Sequence, residues 1–167
     1  MGSERGQSRG SQVQRDSHTI ENRQGSVRLP MADLKRFLGK MYQELGVGPT
    51  AVFVCMVTDA EMKRLNQKFR NKAKTTDVLS FPWEIRTRQR ALRGRAGQIR
   101  GAFLGDIAIS PTVARRNAKM FGRTMREELC VLMLHGVLHL MGYDHETDRG
   151  EMERVEAKLR RRLGLAQ

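Results

Sequence analysis

Aromatic side chains are scarce. One Trp, two Tyr and six Phe make up 5% of the 167 residues, too few for a surface that stacks many bases. The chain has only two cysteines, Cys55 and Cys130, set in the apolar runs AVFVCMV and LCVLML. With no CxxC pair and no disulfide framework, they read as buried, reduced thiols. Long hydrophobic runs are missing too. The longest, Leu129 to Met141, contains two His and a Gly and falls short of the roughly 20 residues that span a bilayer. The opening MGSERGQSRG has no apolar signal core, so a cytoplasmic protein that does not engage a membrane is expected. Acidic residues are in short supply, 18 against 31 Lys and Arg, which leaves a net charge of +13 and a pI near 10.8. That surplus points to a polyanion, with nucleic acid ahead of an anionic membrane surface. A merely soluble basic protein is the plain alternative.

What is present suits one globular domain. Hydrophobic residues are 39%, and the 16 Gly bring the apolar set to about 48%. Residues 1–17 are rich in Gly, Ser, Arg and Gln without apolar periodicity, and read as a disordered basic tail ahead of a domain over 18–167. His18–Asn22 reads as a short strand. Met31, Leu34, Leu38, Met41 and Leu45 recur at helical spacing between Pro30 and Gly46. Ala51–Val57 reads as a strand buried on both faces. Thr58 and Glu61 match a capping box, opening a helix whose buried stripe would be Met62, Leu65 and Phe69. Asp77–Phe81 reads as a second central strand closed by Pro82, and Phe103–Ile109 as another. Between them, residues 86–101 carry six Arg and no acid and read as an exposed basic loop or hairpin. Ser110 and Pro111 start a short helix that ends at Gly122. A second capping box at Thr124 and Glu127 opens a helix to Met141, apolar nearly all round and therefore central. Asp148 caps a last helix with Met152, Val155, Leu159 and Leu163 inward. The fold class is α/β: a single domain with a mixed sheet of about four strands, packed around a central apolar helix.

That central helix carries the chemistry. The chain has four His, and three of them, His135, His139 and His145, stand in HGVLHLMGYDH. Positions 135 and 139 share a helix face one turn apart. Gly142 can take the left-handed conformation that turns the chain back, bringing His145 toward the same point. A lone His on an apolar helix is usually a satisfied core residue, but a pair there is costly to bury without a shared partner. Three imidazoles with one open position make a catalytic zinc layout for a single Zn2+ ion. The spacing follows the metzincin pattern H-E-x-x-H-x-x-G-x-x-H, with Gly136 where those peptidases carry their general-base Glu. The group that would deprotonate a metal-bound water for amide hydrolysis is missing, which disfavours a peptidase.

HGVLHLMGYDH resembles the signature of the YbeY family of metal-dependent endoribonucleases. LNQKFRNKAKTTDVLSFP is similar to that family's second block, and LGDIAIS to its third. The resemblance implies a mixed α/β fold with metal ligands at His135, His139 and His145. It also implies single-strand-selective cleavage of RNA in 16S rRNA maturation and ribosome quality control. The partners implied are ribosomal RNA and the ribosomal small subunit or its assembly factors, with DNA not expected. It places the family's functional Arg at Arg70. From the residues alone Arg70 is a cation favoured at a helix C-terminus. With the resemblance, its guanidinium is a candidate to hold a phosphate and stabilise developing charge. Thr76 and Asp77 read as structural, and Asp144 as either a turn residue or an acceptor for a His ring N–H. The Arg-rich stretch at 86–101 departs from the family's shorter loops. It suits sequence-blind phosphate contact, or is an exposed insertion without a partner. The reading is a zinc-dependent endoribonuclease. Its rivals are an RNA-binding ribosome-assembly factor with a structural metal, and a metallohydrolase of another substrate.

Overall fold

Alternation of side chains along three strands divides the molecule into two packed layers. The computed structural model describes residues 20–83, 103–144 and 147–165. The tail at 1–17, the basic stretch at 86–101 and His145 lie outside the described residues.

Strands β1 (Ile20–Asn22), β2 (Val52–Met56), β3 (Val78–Pro82) and β4 (Gly105–Ile109) form one sheet in the order β1-β2-β4-β3. β1, β2 and β4 run parallel, and β3 is antiparallel to β4 with Val78 opposite Ile109 and Phe81 opposite Asp106. Val52, Val54 and Met56 of β2, with Ile107 and Ile109 of β4, face the main core. Cys55, Leu79 and Ala108 face a smaller cluster on the other side, as the two-residue period of a strand requires. β2 is flanked on both sides and is apolar on both faces, as its unbroken hydrophobic run predicts.

DVLSF, however, is an edge strand and not a second central one. Its alternation of Leu79 and Phe81 with Ser80 marks a strand with unlike faces. Pro82 is tolerated at its end because an edge position needs no ladder N–H.

Helix α1 (Met31–Leu45) follows Pro30 and ends where Gly46 turns left-handed. Helix α2 (Asp59–Arg70) starts on Thr58, whose hydroxyl accepts from the Glu61 N–H. The Glu61 carboxylate lies 3.7 Å from the Arg23 guanidinium. Met62 is fully buried under α2 and Leu65 partly, but Phe69 is 56% exposed. The expected stripe fails there because β3 is the sheet edge, and Phe69 meets it only edge-on through Phe81.

Helix α3 (Pro111–Met120) is capped by Ser110, and α4 (Met125–Leu140) by the full Thr124–Glu127 box. α4 has eleven buried residues and packs against β3, β4, α1, α3 and the last helix, α5 (Glu151–Leu163). Covered by these elements along most of its length, it needs no polar face beyond its first turn and the half-buried His135 and His139. Its one buried acid, Glu128, is held 2.8 Å from Arg123. Asp148 does serve α5, from two residues before the N-cap at Gly150: its carboxylate accepts from the N–H groups of Gly150, Glu151 and Met152. These bonds, led by that of Met152, hold the carboxyl below its usual range.

Cys55 and Cys130 are free and buried. Burial pushes their thiols up to about 11 and about 12, so both stay protonated and inert.

Candidate functional site

Near the C-terminal end of α4 the two helical His meet. His135 and His139 stand one turn apart with ring centroids 4.7 Å apart at 76°, and their Nε2 atoms are separated by 3.1 Å. Both rings are half-buried. Gly142, with φ of 100°, then turns the chain out of the helix, as the sequence predicts. His145 lies beyond that turn, outside the described residues. Among the described residues no three His, Cys, Asp or Glu gather into a metal-sized cluster.

On its other nitrogen His135 has a partner that the motif does not announce. The Glu156 carboxylate of α5 lies 2.9 Å from His135 Nδ1, and its second oxygen accepts from Arg160. Burial works to raise the Glu156 carboxyl. The hydrogen bond from His135 and the positive charge of Arg160 outweigh it and hold the group below the usual carboxylate range. An ionised Glu156 only accepts, so His135 Nδ1 donates to it, which leaves Nε2 as the nitrogen turned toward His139. Two nitrogen ligands of a tetrahedral zinc lie about 3.3 Å apart. The facing Nε2 atoms, with a carboxylate fixing one ring from behind, fit that donor arrangement.

Gly136 faces away from this pair, against the sheet. A Cβ there would stand 2.9 Å from Ile107 Cδ1 and 3.2 Å from Ser80 Oγ. Ser80 Oγ also donates to the Gly136 carbonyl at 3.0 Å. The residue that replaces the peptidase Glu is therefore required for α4 to lie on β3 and β4. Gly136→Glu is expected to destabilise the fold by about 3 kcal/mol, from overpacking and a buried carboxylate. Denaturant unfolding would measure this; an unchanged midpoint would show that the helix–sheet contact tolerates a side chain.

The chain is similar to known proteins over most of its length. The family model described as Endoribonuclease YbeY matches residues 19–164. The chain belongs to the YbeY endoribonuclease family. A protein named Endoribonuclease YbeY from Solibacter usitatus is 42% identical over 151 residues, covering 90% of each chain. One of the same name from Koribacter versatilis is 43% identical over 132 residues, covering 79% of this chain and 76% of its own. The solution structure of a Thermotoga maritima protein superposes with a TM-score of 0.56 at 29% identity, covering 87% of both chains.

The YbeY-like second block maps onto α2, the loop after it and β3. Arg70 is exposed at the last position of α2. α2 packs on the sheet face opposite α4, through Met62 and Leu65. The neighbour of Arg70, Phe69, packs on Phe81 of β3 at 4.9 Å between centroids, and β3 is the strand whose Ser80 meets Gly136. Asn66 is buried and ties the loop down: its amide donates to the Lys74 carbonyl, and its own carbonyl accepts from Asn71 and Lys72. Asp77 accepts from Val78 N–H, Thr76 Oγ1 and Asn117 Nδ2, which is the structural role expected of it. The Asp144 carbonyl and carboxylate accept from Thr147, and the carbonyl also from Asp148, consistent with a turn role.

Sequence reasoning missed Glu156. The signal was there: Glu156 falls four residues after Met152 and three before Leu159, on the inward stripe of α5, where an acid is out of place unless paired.

Proposed function

We propose that this chain is a zinc-dependent endoribonuclease. It would cut single-stranded regions of ribosomal RNA precursors in the cytoplasm, in 16S rRNA maturation and ribosome quality control. The ribosomal small subunit or its assembly factors would be its partners. Membership of the YbeY family supports RNA cleavage, and the +13 charge suits an RNA substrate. No helix among the described residues is long and apolar enough to cross a membrane. The observation that carries the metal reading is the pair of Nε2 atoms 3.1 Å apart, with Glu156 on the far nitrogen of His135.

His135 and His139, with His145, would hold the ion. A bound zinc supplies Lewis acidity, polarising a phosphoryl oxygen and making a water more acidic. Glu156 fixes the ring plane and tautomer of His135, so that its lone pair is presented without reorganisation. Arg70 would meet the RNA from around the edge strand, its planar fork suited to two oxygens of one phosphate. Charge grows on those oxygens in the transition state, so the guanidinium lowers the barrier more than it tightens binding.

Arg70→Ala is accordingly expected to lower the cleavage rate about tenfold or more, with fold and metal content intact. Arg70→Lys should recover only part of that, lacking the bidentate fork. Single-turnover cleavage of a defined single-stranded RNA is the measurement, and an unchanged rate in Arg70→Ala removes Arg70 from the mechanism.

A further inference from the structure

The face of β3 that looks toward α2 carries large aromatic side chains that packing does not explain. Among the described residues only four large apolar side chains are strongly exposed, and two of them, Phe69 at 56% and Trp83 at 67%, lie along this one edge. Phe81 stands between them, half-buried, with Phe69 edge-on to it. Phe81 and Trp83 are two residues apart and so project from the same side of the chain. The Trp83 ring lies edge-on to Phe103, 5.8 Å away at 70°, and the backbone N–H of Trp83 donates to the Leu104 carbonyl. The exposed rings are thus held in place rather than loose. β3 is the sheet edge, and no described strand covers it.

On the α2 side these rings are bordered by cations, while Asp106 stands opposite Phe81 on β4 and Glu84 follows Trp83 in the chain. From Met62 to Thr76 the sequence contains Lys63, Arg64, Lys68, Arg70, Lys72 and Lys74 and not one acid. All six are exposed. Lys68 Nζ lies 5.2 Å from the centre of the Phe69 ring. An apolar protein partner would not call for this density of positive charge, whereas a phosphate backbone with accessible base faces meets both features.

We propose that Phe69 and Trp83, propped by Phe81 and Phe103, are a stacking surface for two bases of a single-stranded RNA. The phosphates of that RNA would run along the cations of α2 and the loop after it. The proposal rests on the RNA reading above and adds how the strand is held and why a duplex is refused. The two rings stand on different elements, α2 and the end of β3, with Phe81 between them. Bases engaged with both rings are therefore parted from one another, and only an unpaired strand offers its base faces in this way. The surface for two bases is compatible with a chain poor in aromatics, since it needs only the few rings present.

Trp83 is the sole Trp of the chain, so its fluorescence reports on this surface directly. Titrating the full-length protein with oligouridylate is expected to quench that fluorescence, and the matching RNA duplex to quench it far less. Trp83→Ala and Phe69→Ala should each weaken oligouridylate binding about tenfold, with the slope of log affinity against log salt unchanged. Lys68→Ala should reduce that slope by about one phosphate's worth. Phe69→Tyr should bind as the parent does and Phe69→Leu should not, because the ring face and not its hydrophobicity is what a base uses.

Absence of quenching at saturating RNA overturns the proposal. So does equal binding by parent, Trp83→Ala and Phe69→Ala, which would assign the aromatic edge to a protein partner. Cleavage is read separately. An RNA that quenches Trp83 but is never cut removes the nuclease reading and keeps the stacking surface. One that is cut without quenching does the reverse.

Discussion

His139→Ala is expected to abolish RNA cleavage and to leave the purified protein without stoichiometric zinc, while its far-UV circular dichroism stays that of the parent. The reason lies in the geometry of α4. His135 and His139 present nitrogens 3.1 Å apart, and removing one leaves a divalent ion too few imidazoles for a tetrahedral site. The helix itself does not depend on either ring: its eleven buried residues and its Thr124–Glu127 cap hold it in place. Chelation of the parent should act in the same way, with cleavage lost and folding largely kept. If chelator or His139→Ala instead unfolds the domain, the ion is structural and the chain binds RNA without cutting it. If His135→Ala, His139→Ala and His145→Ala all retain full metal content, there is no three-His site.

The second large effect is expected at Glu156. Glu156→Ala removes the acceptor of His135 Nδ1 and strips Arg160 of its carboxylate. Loss of such a supporting partner typically weakens metal affinity 10- to 100-fold. Leaving the half-buried Arg160 guanidinium unpaired costs about 1–2 kcal/mol of stability. Glu156→Gln, which keeps an acceptor without the charge, should fall between parent and Ala in both respects. The sign of the pH effect follows from the direction of the shift. The Glu156 carboxyl is held below its ordinary value of 4.5 in the folded protein. Its contribution is thus complete above pH 4.5 and is lost as pH falls through the lower, folded value. Denaturant midpoints measured across that acid range should fall less steeply for Glu156→Gln than for the parent. Parallel curves, together with unaltered zinc affinity, would reduce Glu156 to an ordinary surface acid.

Much of this molecule is legible in one dimension because the relevant forces are local. Pro30, Gly46, Thr58, Ser110 and Thr124 bound helices through groups that lie within four residues of one another, and such caps show in sequence. The continuous apolar runs at Val52–Met56 and Leu129–Met141 reveal elements covered along most of their length. The spacing of His135 and His139 places two imidazoles on one helix face whatever surrounds them.

Other features were decided only by what packs against what. DVLSF became an edge strand because the sheet order is set by pairings between distant segments, which a strand's own composition does not encode. Phe69 fits the apolar stripe of α2, yet it is exposed because the sheet beneath ends at β3. Glu156 acquired its role from a His twenty-one residues away on a neighbouring helix. Gly136 reads in sequence as a missing catalytic acid, whereas in the fold it is the contact that lets α4 rest on Ile107 and Ser80. Caps and helix faces depend on neighbours a turn away in the chain. Edges, supporting carboxylates and close approaches depend on neighbours that only the tertiary structure brings together.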